Sequence, residues 1–202
     1  MPRFGGCTFV EAPDRPAPAG AVFWRADAYP AILPVEAFPA PEDHEDAIAI
    51  HELGHDVIAL KRGERIEHVL LVAGAHRIQL EVTGASLFEG PVRLRYDLAG
   101  FDGVEPKVAT LQRLIALRRL GRFPRALFPP EPRARRLLMA LRAHDGRQAG
   151  ANPRDIAAAL FGRDVECRDW YGPSDYLRSR VRRAIAAGEH LINGGYLELL
   201  KP

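Results

Sequence analysis

The chain contains no apolar run near the ~18 residues that a membrane-spanning helix requires. Its opening residues, Met1-Pro2-Arg3-Phe4, lack the apolar stretch and small-residue cleavage site of a signal peptide. The expectation is a cytoplasmic protein, neither exported nor inserted in a membrane. Cysteine occurs only twice, at Cys7 and Cys167, and a reduced setting makes a disulfide between such distant positions unexpected. Lysine is nearly missing, with 3 against 25 arginines. GC-rich codon usage accounts for such a count, so the information lies in where the arginines sit, because the guanidinium fork suits phosphates and guanine edges. No G-x-x-x-x-G-K-[ST], G-x-G-x-x-G or G-x-S-x-G string occurs and serines are few, which leaves nucleotide-dependent and α/β-hydrolase chemistry without a foothold. There is no repeat and no low-complexity tract.

What is present is the balance of a globular chain: 202 residues, 47% hydrophobic and 27% charged, enough for one domain or two small ones. The net charge of +2 conceals a division. Residues 1–103 carry 9 basic and 16 acidic side chains, and residues 104–202 carry 19 and 10, so the halves are −7 and +9. A basic half reads as a surface for phosphate backbones or acidic partners.

Eight of the 17 prolines fall within the first 41 residues, which excludes helices and central strands there. Phe4, Phe9, Phe23, Trp24, Tyr29 and Ile32 in the same stretch predict an extended arm that packs its aromatics on the body. Glu42-Asp43-His44-Glu45-Asp46 marks an exposed loop or a helix start. From 56 to 98 the period is two. Ile78, Leu80 and Val82 alternate with polar residues, as do Val92, Leu94, Tyr96 and Leu98, and Gly63, Gly74 and Gly90 lie in the intervening turns. An antiparallel β-meander is the economical reading.

After Gly103 the pattern becomes helical. A first helix runs to about Leu120 with Val104, Val108, Leu111 and Ile115 on one stripe, and a second spans about 133–145 with Leu137, Leu138 and Leu141 inward and Arg133, Arg135, Arg136 and Arg142 outward. His144-Asp145 reads as a C-terminal helix charge and cap. A third helix has Asn152 as N-cap, Pro153 at its first position, Asp155 in its first turn and Gly162 as its stop. A fourth begins at the N-cap Ser174 with Asp175 and runs to about Gly188, and a short last helix covers about Ile192 to Leu199. Domains are therefore expected at 1–103 and 104–202. The fold class is α+β, an extended arm and antiparallel β-meander followed by a mostly helical, helix-turn-helix-like domain.

On the fourth helix Leu177, Val181, Ala184 and Ile185 share one side, and Arg178, Ser179, Arg180, Arg182 and Arg183 cover the other. Following two shorter helices, this is the order of a trihelical helix-turn-helix whose last helix enters the major groove of double-stranded DNA. Arg178 and Arg182 lie one turn apart, where an arginine can donate two hydrogen bonds to guanine. Ser174 and the free N–H groups of the helix start suit a phosphate, and Arg154 would help position the duplex. An ordinary solvated face is the bland alternative. The eleven-residue connection 163–173 departs from the three- or four-residue turn of that motif, and its Asp164, Glu166, Asp169, Trp170 and Tyr171 also suit a partner surface.

Residues from about Gly103 to Leu200 resemble the RovC-like DNA-binding domain of proteobacteria, long catalogued as a domain of unknown function. The resemblance rests on the basic run from Arg118 to Arg125, Arg142-Ala143-His144-Asp145, the stretch Arg154 to Gly162, Trp170, and Ser174 to Arg183. Gly6-Cys7-Thr8-Phe9 and Phe23-Trp24-Arg25 resemble a transcriptional-regulator-like segment often fused in front of it. The resemblance implies a transcription regulator, carried on mobile elements or tied to secretion-system control. It also implies a second possibility, an antiactivator that binds a related regulator instead of DNA. The acidic N-terminal half would hold a partner, a second copy or RNA polymerase.

His51-Glu52-Leu53-Gly54-His55 fits H-E-x-x-H, in which two histidines one helical turn apart hold zinc and the glutamate activates the bound water. Context argues against a zinc hydrolase. Asp56 follows directly, Ile58 and Lys61 occupy the Gly and His places of the extended motif, and the next ~40 residues read as strands. Cys7, His44, Glu67 and His76 are the third-ligand candidates, none at convincing spacing. The alternative is a short amphipathic turn, Ile50, Leu53 and Val57, leading into a strand. Neither metal, cofactor nor catalytic activity is expected. Trp24 and Trp170 read as core or interface anchors.

Overall fold

The computed structural model describes residues 7–9, 21–53, 56–63, 65–74 and 76–201. They form a five-stranded sheet followed by helices, an α+β architecture. Two compact units divide the chain, residues 1–129 with 200–202 and residues 130–199. The change from strands to helices falls earlier, after Gly103.

In the first unit β1 (Cys7–Phe9) and β2 (Val22–Trp24) pair as an antiparallel ribbon. The main sheet holds β3 (Leu33–Pro39), β4 (Asp56–Arg62), β5 (Ile66–Ala73), β6 (His76–Gly84) and β7 (Val92–Tyr96) in the order β4-β5-β6-β3-β7. β4, β5 and β6 form the expected meander. β7 does not continue it, because β3 lies between, parallel to β6 and antiparallel to β7. The proline-rich segment thus supplies an inner strand, against expectation. Pro34 and Pro39 stand at its two ends, where missing N–H donors cost the ladder least.

Strand alternation gives the sheet two buried faces. Val35, Val69, Leu71, Leu80 and Val82 meet Leu114 and Leu117 of α1 (Val104–Leu120) on one side. On the other, Phe23 and Ala21 cover Leu70, so part of the arm packs as expected. Phe4 and the side chain of Phe9 lie outside the described residues. Gln79, buried among apolar neighbours, accepts from Trp24 N at 2.9 Å and donates to Trp24 O at 2.9 Å, which fixes β2 to the sheet. Residues 42–46 form turns, held by Arg118 Nη2 donating to Glu45 O and Ala47 O.

α1 has the expected span but an inner face rotated by about a quarter turn, so that of the expected stripe Leu111 packs on the core. Thr110, Leu114 and Leu117 are buried, whereas Val108 and Ile115 are exposed. The buried Thr110 hydroxyl is satisfied, donating to Ala31 O at 2.7 Å, so the polar residue is accepted on the core side.

The second unit contains α2 (Ala134–Gln148), α3 (Pro153–Phe161), α4 (Arg163–Asp169) and α5 (Tyr176–Ile192). α2 outruns its expected end, so His144 and Asp145 lie inside it and do not cap it. Its seam is made by Ala140 and Ala143, while Leu138 points to solvent. α3 matches in every detail: the Asn152 side chain accepts from Arg154 N and Asp155 N, Pro153 opens the helix, and Gly162 ends it at φ 94°. The connection 163–173 is mostly the helix α4, not a loop. α5 starts one residue later than expected, with Asp175 in place of Ser174 as N-cap, and runs four further, absorbing Ile192, and the last element is a 3-10 helix, Gly195–Leu200. Ile156, Ala157, Leu177 and Val181 form the core of this unit with Ala143.

Candidate nucleic-acid interface

α5 buries Leu177, Val181, Gly188 and Leu191, with Ala184 and Ile185 half-buried beside them. The rest of its circumference carries the five predicted polar positions, which divide into two groups. Arg178, Ser179 and Arg182 gather around Asp175. Arg178 Nε donates to Asp175 Oδ1 at 2.5 Å, Ser179 Oγ to Oδ2 at 2.9 Å, and Arg182 Nη2 to Oδ2 at 3.0 Å. The Arg178 hydrogen bond, then that of Ser179, holds the Asp175 carboxyl below its ordinary pKa.

Arg178 is drawn inward. Its Nη1 donates to Trp170 O at 2.7 Å, bridging the end of α4 to the first turn of α5. Arg182 is 72% exposed and keeps donors for an external acceptor. Arg180 turns the other way, its guanidinium 4.2 Å from the centroid of Phe161 and 5.5 Å from that of Tyr176. Arg183 is exposed and, among the described residues, has no ion-pair partner.

Asp175, not Ser174, is the N-cap residue of α5, and no side chain caps the helix there. Ser174 Oγ instead accepts from Tyr176 N at 3.2 Å. Arg154 is an internal strut. It is ion-paired through Nε with the buried Glu166 of α4, and its guanidinium lies 5.1 Å from the Tyr171 ring centroid. The Arg154 hydrogen bond holds the Glu166 carboxyl below its ordinary pKa against the opposing effect of desolvation. Sequence reasoning missed Arg133, Arg135 and Arg136 of the α2 segment as neighbours of the α5 arginines: with Arg180 and Arg183 they line one groove. Their helical spacing on α2 gave the exposed face but not which helix lay beside it.

His51 is exposed on the 3-10 helix Ile50–Leu53, and β4 begins at Asp56. Leu53 is buried and Ile50 and Val57 pack on the core, as the amphipathic-turn reading expects. Glu52 Oε2 accepts from Ala49 N at 3.3 Å, and His55 lies outside the described residues. Among the described residues no three His, Cys, Asp or Glu side chains gather to hold a metal ion. No described helix is long and apolar enough to cross a membrane.

An arginine-covered helix set on a small helical core carries the electrostatic footprint expected of a nucleic-acid-binding domain. Residues 102–201 match the RovC DNA-binding domain, a family described as T6SS, transcription factor, DNA-binding domain, and this half of the chain belongs to it. The match runs from ahead of α1 through the final 3-10 helix. No curated protein matches the chain.

Proposed function

We propose that the chain is a sequence-specific double-stranded-DNA-binding transcription regulator, working in the bacterial cytoplasm on an operon of a mobile element or of a secretion system. The observation that carries the reading is the wide arginine arc of α5. In it Arg182 and Arg183 present free guanidinium donors, Ser179 and Arg180 flank them, and Arg178 fixes the angle of the helix. α5 serves as the recognition helix and α3 as the crossing helix of a helix-turn-helix in which α4 takes the place of the short turn. The Ser174 hydroxyl and the first N–H groups of α5 donate to a backbone phosphate. Arg154 contributes by position, holding α3 to α4.

The functional division follows the charge, with residues 104–202 as the DNA-binding part and residues 1–103 as a surface for a second copy or for RNA polymerase. The resemblance of Gly6-Cys7-Thr8-Phe9 and Phe23-Trp24-Arg25 to a transcriptional-regulator-like segment would agree with that role. Sedimentation showing a strict monomer, with no polymerase contact in a pulldown, would remove this part.

Fluorescence anisotropy on a pool of the chain's own upstream DNA, across a salt series, tests the reading. Log affinity falls with log salt by roughly 0.9 per phosphate neutralised, and Arg182→Ala/Arg183→Ala flattens the slope by about 2. Absence of binding at low salt, or an unchanged slope in the variant, overturns it. The antiactivator reading then takes over: the hold of Asp175 on Arg178 and Arg182 favours it, and capture of a related regulator is its measurement.

A further inference from the structure

The arginines that α2 and α5 share border an open groove of about 900 Å³, within the ~300–1,000 Å³ range of small-molecule sites. Its rim carries Arg133, Arg135, Arg136, Arg180 and Arg183. Its floor is apolar, built from Leu137, Met139, Phe161, Ala187 and Leu191. The one carboxylate in the lining, Glu198, lies 3.9 Å from His190 Nε2. Arg133 is occupied by Glu131 through a 2.7 Å bond, and Arg135, Arg136 and Arg183 are exposed. The Arg180 guanidinium lies over the Phe161 ring, 4.2 Å from its centroid, and carries five N–H donors.

A phosphate backbone would neutralise this rim but leave the apolar floor wet. An alkyl chain alone would cover the floor and leave the rim without an acceptor. One chemistry answers both, an organic anion with an extended apolar body.

We propose that the α2–α5 groove binds a medium-chain carboxylate and that its occupation withdraws Arg180 and Arg183 from DNA, making the regulator responsive to an amphipathic acid. The second half of this statement rests on the DNA-binding reading, and the first does not.

Titration calorimetry of the full chain with decanoate tests it, with acetate as headgroup-only and 1-decanol as tail-only probe. Decanoate binds with one-to-one stoichiometry, at least tenfold more tightly than either. Arg136→Ala, an exposed helix position outside the proposed DNA contacts, weakens it about tenfold. Ala187→Trp, which fills the groove from an exposed position, abolishes it. In anisotropy, decanoate releases DNA from the wild type and not from Ala187→Trp. Decanoate binding no better than acetate or 1-decanol, or undiminished in both variants, overturns the site. Binding without release overturns the shared arginines. A wild type that binds decanoate but never DNA overturns the regulator reading and leaves the groove assignment standing.

Discussion

A methyl group built on Gly188 of α5 would stand 2.3 Å from the carbonyl oxygen of Ala140 on α2 and 2.7 Å from the Cβ of His144. With Ala140 and Ala143 opposite, the two helices meet along a seam of minimal side chains. In an isolated helix Gly→Ala gains about 1 kcal/mol. Here the sign reverses, because the backbone oxygen has nowhere to retreat. Gly188→Ala is expected to lose about 1–3 kcal/mol by overpacking, seen as a lower urea midpoint with unchanged slope. A midpoint at or above wild type would show the seam to be looser than these distances.

Glu166 sets an acid limit on the same unit. Its carboxyl is held below its ordinary pKa by the Arg154 hydrogen bond, so the folded state binds its proton less readily than the unfolded chain. The stabilisation is fully present above the ordinary glutamate value and is lost as pH falls through the lower folded one. Thermal melts from pH 7 down to pH 3 should show that loss in wild type, and a flatter profile from a lower start in Glu166→Gln. Parallel profiles would assign the acid sensitivity elsewhere.

The Cys167 thiol is exposed and free, and its Sγ donates to Glu166 Oε2 at 3.3 Å. That hydrogen bond pushes its pKa up, suppressing the reactive thiolate. Alkylation by iodoacetamide at pH 8 is expected to be slower than for an unperturbed exposed cysteine, and Glu166→Gln should accelerate it severalfold. Equal rates in the two proteins would refute the coupling.

Asp175 places one negative charge within the arginine arc. Replacing it with asparagine keeps the shape and removes the anion that occupies Arg178 and Arg182. Asp175→Asn should therefore bind DNA more tightly at low salt, by a few-fold, with a steeper salt dependence. Weaker binding would mean that the carboxylate orients the arginines more than it competes for them.

Gln79 ties β2 to the sheet, bonding both the N–H and the carbonyl of Trp24. Gln79→Leu keeps apolar volume but removes both bonds. A loss of about 1–3 kcal/mol, with faster proteolysis ahead of β3, is the expected result. Unchanged cleavage would show that Phe23 alone anchors the strand.

Local chemistry was legible in the sequence wherever a few neighbouring residues settle the outcome. Asn152, Pro153 and Gly162 bound α3 because capping, a fixed φ and a positive φ act within one turn. The alternation of Ile78, Leu80 and Val82 marks β6 because a pleat has period two. The arginine arc of α5 and the resemblance of residues 103–200 were likewise open to reading, since both are properties of the string itself. α4 was hidden because its seven residues have little intrinsic claim to a helix. Packing of Val165 and Trp170 and the Arg154–Glu166 pair stabilise it from outside.

Tertiary structure alone decided the rest, because it depends on which surfaces meet. α1 carries apolar residues on more than one side, and only its seat on the sheet selects Leu114 and Leu117 over Val108 and Ile115. The proline segment becomes an inner strand because β6 and β7 both have edges to offer it. Arg154, Arg178 and Arg180 looked alike as exposed cations, yet a buried carboxylate, a carbonyl and an aromatic face gave each a different task. Sequence fixed the supply of charge on this half of the chain, and the fold, by bringing distant acceptors within reach, settled which arginines remain free.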